Sequence, residues 1–441
     1  MPPGLLKALP ERKVLEFSPK QTMNEFPRIL RVRQNFPAPP PLDILATLAA
    51  EFARLLPRVQ PGACIAVGVG SRGITNLAAI VAGVLDLLRA AGARPFILPA
   101  MGSHGGATPE GQREILASYG ITEEAMRAPI LASMEVRQIG ESADGAPVFC
   151  SAEALSADGI VLINRVKPHT DFAGALGSGL LKMSVIGLGK RTGATAMHIA
   201  ASRIGHERAI RGMAAVLLRA APVLGGVAIL ENQFHDTARL AVLPREEMET
   251  GEEALLAEAR SIMPLLPFDE IDLLIVDRLG KNISGAGMDP NVIGRDVQGY
   301  SGSLMREGRP APFIRRIFAR DLTPETHGNA IGIGLADVTT TRLVRAIDHR
   351  ATAINALTAL TPQSAKIPIH FDTDREAIAL TLASLALPDP RAARIVRIAD
   401  TLTLSEMEIS EPLWAAASSS TALTTLSEPH EIEFDVDNNL A

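Results

Sequence analysis

At 441 residues the chain exceeds the roughly 100–200 residues of an ordinary domain, so two or three domains are expected. Hydrophobic residues make up 47% and charged residues 21%, which suits a globular protein with an ample core. The net charge of -6 argues against a general nucleic-acid binder, which needs Lys and Arg in excess on one face. The only cysteines, Cys64 and Cys150, lie in apolar, strand-like surroundings and read as buried free thiols. That count excludes a disulfide framework or a cysteine-only metal site. The opening MPPGLLKALPERKVLEF lacks a basic start followed by a long apolar core, and no run of about 18 apolar residues occurs. The expectation is a soluble cytoplasmic protein with no membrane partner.

In chain order, CIAVGVG (Cys64 to Gly70) predicts a buried strand ending in glycines, and Ile74 to Ala91 a helix. Arg94 to Ser103 predicts the next strand and its loop. Thr108-Pro109-Glu110 starts a helix to Ser118, with Thr as N-cap and Pro at the first position. Gly159 to Asn164 is a further strand. This β-α-β-α-β order predicts a parallel, Rossmann-like sheet flanked by helices, with ligands gathering at the carboxyl ends of the strands.

A second block begins near Asp269. Ile271 to Asp277 predicts a buried strand, followed by the glycine- and asparagine-rich GKNISGAGMDPNVIGR from Gly280 to Arg295. Lys366 to Ile369 predicts a short strand, Asp374 to Leu387 an amphipathic helix, and Ala415 to Thr425 an ordered loop or helix start. A boundary in the MPLLPF stretch divides the chain into 1–265, an α/β cofactor-binding and catalytic domain, and 266–441, a smaller α/β domain. The active site is expected in the cleft between them.

Three strand-end loops carry polar or cationic residues. In the first, Ser71-Arg72-Gly73 precedes a helix, where free N–H groups and an arginine suit a phosphate or carboxylate. GVGSRG lacks the third glycine of the dinucleotide fingerprint, which disfavours a plain NAD site. The second carries His104 between glycines, a candidate general base. The third, KPHTDF, carries His169, with Pro168 stiffening the approach and Asp171 able to orient a neighbour. Ser178-Gly179 then leads to Lys182 in an apolar run. Desolvation there would lower its pKa and make it a nucleophile or attachment point, although a helical lysine whose stem reaches solvent fits equally. Lys190, delivered by Gly187-Leu188-Gly189, competes for a phosphate. His198 on a following helix reads as a metal ligand or a core histidine; His206 and His235 are weaker candidates. No HExxH or paired-carboxylate pattern is present, which argues against an ordinary zinc hydrolase.

At these residues the chain resembles the nickel-dependent lactate racemase family. Gly102-Ser103-His104 matches that family's Gly-Thr-His loop. His169, Ala173-Gly174 and Ser178-Gly179-Leu180-Leu181-Lys182 match its His, Ala-Gly and Ser-Gly-x-x-Lys, and Arg72 matches the arginine after its first strand. The likeness covers roughly the first 200 residues. It implies a nickel-pincer nucleotide (pyridinium-3,5-bisthiocarboxylic acid mononucleotide nickel) held covalently by Lys182, with His198 completing the nickel coordination. Hydride would pass from C2 of a 2-hydroxy acid to that cofactor, with His104 and His169 as opposed bases. Arg72 would clamp a carboxylate or the cofactor phosphate, and Lys281 and Asn282 would meet substrate. Cofactor-synthesis enzymes are implied partners, and a homo-oligomer is compatible with the chain. The segment between His169 and Ser178 is longer than in the lactate enzymes, and Leu181 stands where they tend to have arginine, so the implied branch is divergent. Two other readings are a nucleotide-dependent oxidoreductase, marked by reversible NAD binding and net redox turnover, and a non-catalytic cofactor-binding homologue, marked by bound nucleotide without isotope exchange.

Overall fold

The computed structural model describes residues 25–37, 40–70, 73–170, 172–297, 312–418 and 420–441. In chain order its first part comprises β1 (Ile29–Gln34), α1 (Ile44–Phe52), β2 (Cys64–Val69), α2 (Leu77–Ala90), β3 (Arg94–Pro99) and α3 (Pro109–Ser118). A hairpin follows, β4 (Val136–Glu141) and β5 (Pro147–Ser151), then β6 (Gly159–Arg165), α4 (Lys190–Ile204), α5 (His206–Ala220), β7 (Val223–Glu231), β8 (Thr237–Pro244) and α6 (Met248–Ser261).

One sheet has the order β3-β2-β6-β7-β8. Its first four strands are parallel, and β8 runs antiparallel to β7. Alternate residues of each strand enter different cores, as a pleated sheet covered on both faces requires. Ile65, Val67 and Val69 pack with Leu77, Ile80, Val81, Val84 and Leu88 of α2. Ala66, Leu98 and Leu162 pack toward α4, α5 and α6 on the other face. The helix from Pro109 to Ser118 forms as its sequence predicts, and the Thr108 hydroxyl accepts the N–H of Gly111 at 3.1 Å. Cys64 and Cys150 are both free thiols; Cys150 is buried and Cys64 only partly so.

The second sheet joins β9 (Glu270–Leu279), β10 (Phe313–Leu322), β11 (Val338–Thr340), β12 (Ile369–Phe371), β13 (Ile395–Ile398), β14 (Glu406–Ser410) and β15 (Leu423–Thr425) with β1, in the order β12-β11-β10-β9-β13-β14-β1-β15. Around it lie α7 (His349–Thr358), α8 (Asp374–Ala383) and α9 (Glu411–Ala417).

Among the described residues this sheet has eight strands against five in the first. Two expectations change. Strand β1, assigned with the first block, pairs antiparallel with β14 and β15, Val32 opposite Met407 and Thr425. Its alternation buries Leu30 and Val32 and turns Arg31 and Arg33 outward to Glu406, but such a pattern carries no address for a partner hundreds of residues away. The strand expected at Lys366 to Ile369 lies at Ile369–Phe371 instead. Lys366 still belongs to the exit of a helical turn, and Pro368 has no N–H to give a ladder.

Candidate active site

In the first sheet Val69 stands beside Pro99 and Ile163, so β2 and β3 end level and β6 runs on to Arg165. The loops after them therefore emerge from one carboxyl edge, as the sequence predicts. Ser71 and Arg72 in the first loop, and Asp171 in the third, lie outside the described residues. Gly73 is exposed in the approach to α2.

The third loop carries most of the chemistry. Lys167 and Ser178 exchange both backbone hydrogen bonds at 2.9 Å, which closes residues 168–177 into a pinned excursion. Asn164 Nδ2 donates to the carbonyl of Gly179 at 2.8 Å and ties the return of the loop to the end of β6. The chain then makes a helical turn, Leu180–Lys182, that widens into a π-helical turn, Met183–Gly187. Such turns are uncommon and cluster at functional sites. The backbone of Ser178 closes the loop, and Gly179 sits against the carboxylate of Glu252, where a Cβ would approach to 2.3 Å.

Lys182 Nζ hydrogen-bonds Nε2 of His169. The His169 ring stacks on Phe172 at 4.4 Å, and Phe172 stacks on His206 at 4.9 Å and 6°. Burial, then the charges of Lys182, His206, Lys167 and His198, hold the His169 imidazole well below its ordinary pKa. A histidine in such surroundings is neutral near pH 7 and can accept a proton. The structure thus brings together His169, Lys182, His198 and His206. His206, a weak candidate by sequence, enters because it opens α5 and faces the same loop.

His104 lies on the neighbouring loop, at the entry to a helical turn, Gly105–Ala107. The glycine after it has φ +64°, and a Cβ there would meet the backbone carbon of Gly111 at 2.5 Å. That glycine serves the close approach of α3 to the loop.

The side chain of Lys190 is fully buried, and its amine donates to the carbonyl of Pro99 at 2.6 Å and to Gln112 Oε1 at 3.2 Å. Its amine is thus bonded beneath the His104 loop, against the carbonyl of Pro99 and the amide of Gln112.

From the second sheet, Asn291 Nδ2 donates to the carbonyl of His169 at 3.2 Å, and Asp289 lies 3.7 Å from Lys167 Nζ. Asp289 also caps the short helix Pro290–Ile293 by accepting the N–H of Asn291 at 2.9 Å. These residues belong to the Gly280–Arg295 segment flagged by sequence, but they are not the two predicted there. Lys281 Nζ bonds Asn355 of α7, and Asn282 Oδ1 accepts from Thr323 at 2.6 Å, both within the second unit. The missed signal was Asp-Pro, an N-cap followed by Pro at the first helical position.

These loops, gathered at one edge of a parallel sheet and met by a segment of a second sheet, define an α/β protein with the lactate racemase fold. Residues 56–210 match the model of the lactate racemase N-terminal domain. The lactate racemase apoprotein of Thermoanaerobacterium thermosaccharolyticum superposes with a TM-score of 0.51 at 12% identity, over 85% of this chain and 99% of that one. A structural-genomics protein from Thermotoga maritima superposes with a TM-score of 0.50 at 13% identity, over 75% of this chain and 84% of that one. No curated protein matches the sequence. Residues 56–210 are therefore similar to the lactate racemase N-terminal domain, and the chain shares the lactate racemase fold at low identity. Among the described residues, no helix is long and apolar enough to cross a membrane.

Proposed function

We propose that this protein is an isomerase that inverts C2 of a 2-hydroxy acid, acting through a lysine-tethered nickel-pincer nucleotide. The observation that carries the reading is the Lys182 amine set against the neutral imidazole of His169, with His198 and His206 close by. Residues 1–265, without β1, supply the cofactor and catalytic groups, and residues 266–441 close over the substrate.

The donor set fits such a group. Among the described residues, no three His, Cys, Asp or Glu side chains are placed to cage a metal ion. A metal at this site needs a carrier that brings most of its own donors, with one imidazole and one covalent anchor from the protein. His198 is the ligand and Lys182 the anchor. Ser71, Arg72 and Gly73 take a phosphate or carboxylate at the start of α2. When bound, the cofactor supplies a hydride acceptor.

The residues of the chain do the rest. The C–H beside a carboxylate is a very weak acid, so loss of hydride with simultaneous removal of the hydroxyl proton is the easier route. His169, held neutral by burial and by adjacent cations, takes the hydroxyl proton of one enantiomer. His104, on the neighbouring loop, serves the opposite face. The residues of the site would hold the planar 2-keto acid loosely enough for it to present its opposite face, with His104 and His169 each exchanging the hydroxyl proton on its own side. Lys281 and Asn282 approach substrate from the second unit.

The test is native mass spectrometry with metal analysis on protein made alongside the cofactor-synthesis enzymes, then a screen of 2-hydroxy acids in deuterated water. The expected result is a covalent adduct, nickel, and racemisation with the C2 hydrogen retained. Deuterium appearing at C2 as inversion proceeds would overturn the hydride route.

A further inference from the structure

Among the described residues the buried amine of Lys190 bonds no carboxylate, although the charge of Glu153 acts on it from a distance. Both of its partners, the Pro99 carbonyl and Gln112 Oε1, are neutral. A lysine that is fully buried is rare unless paired with an acid, because desolvating the ammonium is costly. Lys190 also has φ +54°, an uncommon conformation for a residue with a Cβ. A costly burial and a strained backbone at one residue call for a return elsewhere.

The return lies in what the amine holds. Gln112, itself fully buried on α3, uses its Oε1 to accept from Lys190 and its Nε2 to donate to the carbonyls of Gly102 at 3.1 Å and His104 at 3.4 Å. The acceptance from Lys190 fixes which end of the amide faces the loop. Three carbonyls between Pro99 and His104 thus point inward onto two buried side chains.

We propose that Lys190 and Gln112 are positioning residues that set the backbone of the His104 loop, and through it the placement of the His104 imidazole. This assignment rests on the reading of His104 as a base, and it adds residues that touch neither substrate nor cofactor. Lys190 fixes the amide of Gln112, and Gln112 fixes the loop.

The discriminating variant is Gln112→Glu in the full-length protein. A glutamate keeps the shape, pairs with Lys190 and preserves folding, but offers no N–H to Gly102 or His104. Lys190→Met is the companion. Backbone amide exchange over residues 101–107 and the labelled imidazole resonances of His104 and His169 are followed by mass spectrometry and NMR. In Gln112→Glu the exchange is expected to accelerate roughly tenfold, as loss of one or two loop hydrogen bonds implies. The His104 resonance and its titration should move while those of His169 stay in place. In loaded protein, kcat should fall with KM little changed. A folded Gln112→Glu variant with unchanged loop exchange and an unchanged His104 resonance overturns the proposal. Neither readout needs turnover, so absence of racemisation in the wild type counts against the function and leaves this test decisive.

Discussion

The backbone N–H of Leu181 donates to a carboxylate oxygen of Glu252 at 2.9 Å, one residue before Lys182. Glu252 is fully buried on α6, and among the described residues its other oxygen has no hydrogen-bond partner. A buried acid thus caps the turn that carries the candidate cofactor anchor, and it acts on backbone only.

This contact makes Gly179 a matter of space. Its φ of -177° suits any residue, but a Cβ would lie 2.3 Å from the carboxylate carbon of Glu252. Gly179→Ala should cost about 1–3 kcal/mol, as overpacking usually does. The cost should shrink in a Glu252→Ala background. Denaturant unfolding of the four proteins of this cycle checks it, and strictly additive penalties would refute the steric explanation.

The same acid gives the stability a pH dependence. Burial pushes the Glu252 carboxyl up from 4.5 to about 7, against the pull of the Leu181 and Leu180 N–H groups and of Arg211. Because the folded value is the higher one, its contribution is complete below pH 4.5 and is lost as pH rises through 7. Lys190 runs the other way. Burial lowers its amine from 10.5 to about 8, so its contribution is present above pH 10.5 and is lost as pH falls through 8. Together the two groups place a shallow stability minimum between about pH 7 and 8. Glu252→Gln should flatten the acid side alone. Unfolding free energies at stepped pH decide this, and an unaltered acid slope in that variant would reject it.

His104→Ala and His169→Ala should fold and retain covalent cofactor yet lose racemisation, since each removes one base. Lys182→Ala should fold and lose the adduct. Intact mass and turnover with both enantiomers provide the check. Near-normal turnover in both histidine variants would sink the two-base assignment.

Asn291→Ala removes the donor to the His169 carbonyl and should speed amide exchange in residues 167–178, leaving β9 and β10 as protected as before. Equal exchange in that loop would mean that Asn291 does not hold it.

In the second sheet, Asp374 is fully buried and accepts from Arg320 at 2.9 Å, from Arg342 at 3.1 Å and from the N–H of Leu440 at 2.9 Å. Asp374→Ala leaves two guanidinium groups short of their counter-charge and should cost about 3–5 kcal/mol, as breaking a buried pair commonly does. A change of a few tenths, measured by thermal or chemical unfolding, would contradict this.

The first sheet was legible because its signals are local. Cys64–Val69 and residues 159–163 are continuous apolar runs, and Thr108-Pro109 announces a helix start. The loop positions of His104 and His169 were legible for the same reason, since both follow strand ends closely. What stayed hidden depends on distant pairing. Nothing within residues 29–34 names β14 as partner, and nothing near Lys190 says that its amine ends beneath Pro99. The depth of Lys190 was not legible either, because Gly187-Leu188-Gly189 before it and Arg191 after it suggest an exposed loop. Glu252 escaped notice because an isolated glutamate in an amphipathic helix looks like a solvent-facing one.

Strand β1 has a mechanical consequence. The chain leaves the second sheet after Gln34 to build the first, and returns to it after Ser261. The chain therefore crosses between the two sheets twice. The segment bearing Asp289 and Asn291 is carried by one half, while Lys167 and His169 are carried by the other. The backbone of His169 is thus held partly by a residue of the other sheet, so that any change in how that segment seats reaches His169 through Asn291.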